Sequence, residues 1–197
     1  MQQRSTRGNA LEKLSIGSYG TEGEQLDFSY YDTATIAAAT TTHTLFSTPY
    51  GTGKNKNMTN LPIAGQIPQG QHMDVRSVAL FYKSSAAKGT AGIQKLYDLF
   101  EQTTLEIKLQ NKESLGIWTI QEILGATTLV AVTPTAAGDN LPFIQPTYRG
   151  CKKLNRKVVL AALTPFSVIL THWTAADASC ANDLLKVSLQ GILTRVT

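Results

Sequence analysis

The longest stretch with strand periodicity covers residues 71–82, and its apolar positions change phase midway. Met73 and Val75 sit at odd positions, whereas Val78, Leu80 and Tyr82 sit at even ones. Successive strand side chains point to opposite faces, so the switch predicts a bulge near Ser77 or burial on both faces. Alternation is cleanest at Leu105, Ile107 and Leu109, interleaved with Glu106, Lys108 and Gln110, the signature of a half-exposed strand. Phe166, Val168 and Leu170 alternate ahead of His172 and Trp173, and Leu185, Val187 and Leu189 mark a last strand over 184–196. Gly191 interrupts that strand, as a bulge or a close backbone approach would. Shorter strands are expected over 26–31, 127–133 and 158–163, and the Thr- and Ala-rich stretch 33–48 has β propensity. Residues 117–124 fit either a short helix or a strand.

Helical periodicity is clear once. Ile93, Leu96, Tyr97 and Phe100 recur at i, i+3, i+4 and i+7, which predicts a helix over about 92–102 with one apolar stripe. Residues 84–92 read as a linker, and 49–70, 136–148 and 174–182 as loops. The first of these carries prolines at 49, 62 and 68, and loops of that length usually make contacts or bridge distant strands. Eight or nine strands without βαβ alternation point to an all-β fold, an antiparallel two-sheet sandwich of jelly-roll type with one inserted helix. Residues 26–197 form its single domain. Residues 1–25 form an N-terminal arm, extended or a short helix, whose Arg4, Arg7, Leu11 and Leu14 are candidate subunit contacts.

Composition adds a constraint. Of 197 residues only 16% are charged, against a usual value of about 25%, so much of the surface is neutral. That suits a protein covered by neighbours, and equally a β-rich protein with neutral loops. The net charge of +4 is less informative than its distribution. Arg149, Lys152, Lys153, Arg156 and Lys157 place five cations within nine residues, a candidate contact for nucleic acid or lipid headgroups. The plainer reading is a solvated loop, or a contact to an acidic patch on the same protein.

Chemistry is sparse. Gly51-Thr52-Gly53-Lys54 resembles a phosphate loop, but the required leading glycine is Thr48 and the residue after the lysine is Asn55. His43, His72 and His172 lie far apart in sequence, each without a second ligand at metal-site spacing. The pair His172-Trp173 could stack on a sugar or base, although a structural aromatic at the core edge is the simpler expectation. Cys151 and Cys180 are too few for a disulfide framework, and sequence leaves their pairing open. No nucleophile elbow and no carboxylate pair stands out. No catalytic residue, metal set, cofactor or small-molecule substrate is therefore expected. There is no apolar leader segment or spanning run, so the expected setting is a soluble protein assembled in a cytoplasm.

The loop leading to Ile67-Pro68-Gln69-Gly70-Gln71 and a long strand resembles coat proteins of jelly-roll type. So does the ending, from FSVIL at 166–170 to NDLLKVSLQGILTR at 182–195. On those two stretches the chain resembles a jelly-roll capsid protein of a tailless icosahedral bacteriophage. The resemblance implies a non-enzymatic virion protein that self-assembles into a shell in the host cytoplasm. Its partners would be copies of itself, other virion proteins, and packaged nucleic acid or an internal membrane surface. The competing classes are a carbohydrate- or receptor-binding module using Trp118, Trp173 or tyrosines, and a cupin-like enzyme with clustered His and Glu.

Overall fold

The computed structural model describes residues 23–86, 90–110, 113–124, 129–132, 141–144 and 151–196. Arg4, Arg7, Leu11 and Leu14 lie outside the described residues, as does Arg149.

The first strand, β1 (Gly23–Thr35), starts three residues inside the stretch assigned to the arm. There follow β2 (Thr42–Leu45), β3 (Gln71–Lys83), helix α1 (Thr90–Glu101), β4 (Thr103–Leu109), β5 (Glu113–Thr119) and the short helix α2 (Ile120–Leu124). A hairpin of β6 (Leu129–Val132) and β7 (Leu141–Ile144) precedes β8 (Cys151–Leu160), β9 (Phe166–His172) and β10 (Leu184–Val196). The ambiguous 117–124 stretch thus resolves as the end of a strand followed by a helix. Thr119 and Glu122 mark the junction as a capping box: Thr119 donates its N–H to the Glu122 carboxylate at 3.1 Å, and Glu122 N–H donates to the Thr119 hydroxyl at 3.2 Å.

One sheet has the order β1-β10-β3-β8 and the other β2-β9-β4-β5. Leaving aside β6 and β7, which pair only with each other, the first strand pairs with the last, the third with the sixth, the second with the seventh, and the fourth with the fifth. This is a hairpin ribbon wound once around a barrel, the jelly roll. Two sequence expectations change here. The 127–133 strand is outside the sandwich, and part of the 136–148 loop is its partner β7.

The space between the sheets is filled. Val78, Leu80, Leu105, Ile107, Val168, Leu170, Val187 and Leu189 are all buried. In α1 the buried stripe is Ile93, Leu96, Leu99 and Phe100, with Tyr97 at its margin, and Phe100 meets Tyr82 edge-on at 5.2 Å. The phase switch of β3 is a bulge, one of the two causes expected from the sequence. Gln190 pairs with Ser77 and Gly191 with Val75, so Arg76 is the extra, exposed residue of a bulge. Gly191 lies where backbones crowd: a Cβ there would come within 1.9 Å of the Asp74 carbonyl oxygen.

The loop between β2 and β3 is packed rather than loose. Leu61 and Ile67 are fully buried, and Asn60 closes the outer edge of β1. Its side chain accepts from Tyr31 N–H at 2.8 Å and donates to the Ser29 carbonyl at 2.7 Å. Those groups would otherwise be open to another strand.

Candidate polyanion-contact edge

The basic cluster is part of β8, not of a loop preceding it. Cys151, Lys152 and Lys153 pair with Ala79, Val78 and Ser77, and Val158 then pairs with Val75. Between Lys153 and Val158 the strand uses five steps against two on β3, so it bows outward there. The bow carries Asn155, Arg156 and Lys157, all exposed. It also hides the alternation, because Leu154 and Val158 reach the core on either side of it.

The four described cations have different fates. Lys157 is engaged by Asp74, its ammonium 2.6 Å from the carboxylate. Lys152 is half-buried and lies 3.7 Å from Glu122 of α2. Lys153 and Arg156 are exposed and form no ion pair with a described residue. An acidic contact on the same protein therefore accounts for two of the four. Exposed ion pairs of this kind contribute little stability, typically under about 1 kcal/mol.

Lys152, Lys153 and Arg156 line a cavity of about 1470 Å³ whose walls also include Phe81, Ile117 and Trp118. Phe81 is 54% and Ile117 59% exposed, so the rim presents apolar surface beside the cations. Trp118 packs against the core and crowds Gly116, where a Cβ would meet its ring at 2.3 Å. It closes the edge of the sandwich and is unsuited to being a free stacking platform. Trp173 is the opposite, 82% exposed at the end of β9. Cations next to apolar walls can hold a phosphate chain while accommodating its bases. Sequence reasoning found the cations but missed Phe81, Ile117 and Glu122. The Thr119-x-x-Glu122 spacing was the available signal for the last.

The phosphate-loop look-alike has a structural role. Lys54 Nζ bonds both carboxylate oxygens of fully buried Asp32, which also accepts from the backbone N–H groups of Thr33 and Phe46. A second buried carboxylate, Asp183, accepts from Tyr82 Oη at 2.6 Å and Ser85 N–H at 2.8 Å. Burial, and next the bond to Asp183, push the Tyr82 phenol well above its usual range. Cys151 and Cys180 do not form a disulfide. Among the described residues no three His, Cys, Asp or Glu side chains are grouped to hold a metal ion. The structure does bring two distant histidines together, His43 and His172, with ring centroids 5.2 Å apart.

No family model matches the chain, and no curated protein matches it.

Proposed function

We propose that this chain is a structural coat protein that self-assembles into an icosahedral shell, as the resemblance to phage capsid proteins implies, and that it has no enzymatic role. The observation that carries the reading is the jelly-roll winding with an aliphatic interior and large apolar side chains left outside. Viral coats, lectins and cupins share this winding. A cupin needs polar ligands between the sheets, where this chain has Leu105, Ile107, Val168 and Leu170. Phe81, Ile117 and Trp173 supply exposed apolar surface of the kind that neighbouring copies bury. Lys153 and Arg156 would then meet packaged nucleic acid or an anionic membrane surface. The setting is a virion assembled in the host cytoplasm.

A carbohydrate- or receptor-binding module is the second reading, and exposed Trp173 favours it. Negative-stain imaging of the purified protein across salt concentrations separates the two. Closed shells or curved sheets of subunits support the coat reading. A protein that stays monomeric at high concentration in every salt and is retained on a glycan array overturns it.

A further inference from the structure

His43 and His172 are an unusual pair for a packed interior. His172 is 1% exposed, and the Nε2 atoms of both rings are buried without a hydrogen-bond partner. The rings meet edge-on, 69° apart in plane. The hydrogen-bond chain fixes the tautomer of His172. The Thr103 hydroxyl has one proton and donates it to the Leu99 carbonyl. It can therefore only accept from His172 Nδ1, 2.6 Å away, so Nδ1 carries the proton and Nε2 is a buried lone pair.

Four elements meet at this pair. His43 is on β2, His172 on β9, Thr103 starts β4, and Leu99 is in the last turn of α1. The backbone N–H of His172 donates to the Thr41 carbonyl at 2.7 Å, beside the start of β2. That strand is four residues long and lies at a sheet edge, paired only with β9. We propose that His43 and His172 form an acid-operated latch: neutral, they hold β2 against β9 and the end of α1, and protonated, they release that edge of the sandwich.

The electrostatics are one-sided. Burial and, next, the neighbouring His43 together lower the His172 pKa to about 4, and burial lowers that of His43 too. No carboxylate among the described residues compensates. On α1, Asp98 is engaged by Gln94 and lies 4.0 Å from Lys95, and Glu101 is exposed. In the segment after β9, Asp177 caps the turn at Ala178–Cys180. The nearest acid on β4, Glu106, is paired with Lys108. A proton on this pair thus places charge at a buried position with no described carboxylate opposite it, which opening to water relieves. The latch stands on the fold alone and does not depend on shell assembly.

Amide hydrogen exchange of the full chain, corrected for intrinsic rate, tests it at pH 7.5 and pH 5. Opening that exposes His172 should be favoured about 30-fold more at pH 5, read on residues 36–45 and 166–172, whose exchange should be faster than that of β10 because the edge opens without the rest of the fold. His172→Asn keeps an N–H donor near Thr103 and removes the titrating ring, so it should abolish most of that difference. Protection of β2 equal to that of β10 at pH 5 in the natural protein, which means that the edge opens only with the whole fold, overturns the proposal. So does a histidine NMR titration in which both rings show midpoints near 6.5 without faster exchange, a measurement that needs no variant to fold.

Discussion

Lys54 Nζ lies 2.7 and 2.8 Å from the two carboxylate oxygens of Asp32, whose side chain is entirely buried. The pair ties the crossover loop to β1 across 22 positions of sequence. Its two halves are not equivalent, because the Lys54 side chain retains 16% exposure and Asp32 none. Lys54→Ala leaves a carboxylate in the interior with only backbone donors and should destabilise the fold by about 3 kcal/mol. Asp32→Asn frees an ammonium that can turn to water and should cost roughly 1–2 kcal/mol. Urea unfolding of the two variants gives the order, and a larger loss for Asp32→Asn contradicts it.

Two glycines should respond differently to the same added methyl. At Gly191 the obstruction is backbone, the Asp74 carbonyl at 1.9 Å and the Val75 Cα at 3.0 Å, within the pairing of two of the three longest strands, β3 and β10. Gly191→Ala should destabilise by about 3 kcal/mol or yield insoluble protein. At Gly116 the obstruction is the Trp118 ring, which can tilt outward from an edge strand. Gly116→Ala should fold, lose roughly 1–2 kcal/mol, and shift the emission of Trp118 to longer wavelength in a Trp173→Phe background. An unshifted spectrum would mean that the ring does not depend on the glycine.

These cases show what was legible in the sequence. Alternation is local, so the phase switch near Ser77, the interruption at Gly191, the helix and the two-sheet class could be read from spacing, although spacing alone left a bulge and burial on both faces as alternatives at the switch. Partnership is not local. Asp32 with Lys54, Asp74 with Lys157 and His43 with His172 become neighbours only once the ribbon is wound. The cluster of cations looked like a loop because the outward bow of β8 inserts residues between Leu154 and Val158, which breaks the period. Strand β7, the partner of β6, was hidden for a different reason: Pro142 and the flanking glycine and prolines read as turn signals.

If the β8 edge meets a phosphate backbone, its cations should not contribute equally. Lys153 and Arg156 form no ion pair with a described residue, whereas the Lys157 ammonium sits 2.6 Å from Asp74. Each phosphate contact on a single strand contributes about 0.7 to the salt slope of binding. The double variant Lys153→Gln with Arg156→Gln should reduce that slope by about 1.4 units. Lys157→Gln should change it much less. Anisotropy titrations with a labelled oligothymidine at several salt concentrations measure both. A full-sized effect at Lys157 would place the contact surface elsewhere.

Acid should weaken the whole fold through His172, and the sign follows from where protons bind. In the unfolded chain the ring takes up a proton below about pH 6.5, whereas in the folded chain it does so only near pH 4. Between these values the unfolded state holds more protons, so unfolding becomes easier as pH falls through the window and no further below it. The stability that His172 provides is thus full above pH 6.5 and is lost towards pH 4. At about 1.4 kcal/mol per unit, the loss attributable to this ring approaches 3 kcal/mol. His43, lowered in the same direction, adds to it. Urea midpoints measured from pH 7.5 to pH 4 should therefore fall more steeply for the natural chain than for His172→Asn, the curves converging at the acid end. Parallel curves would mean that His172 opens to water well before it is protonated, and that its burial has no thermodynamic consequence in acid.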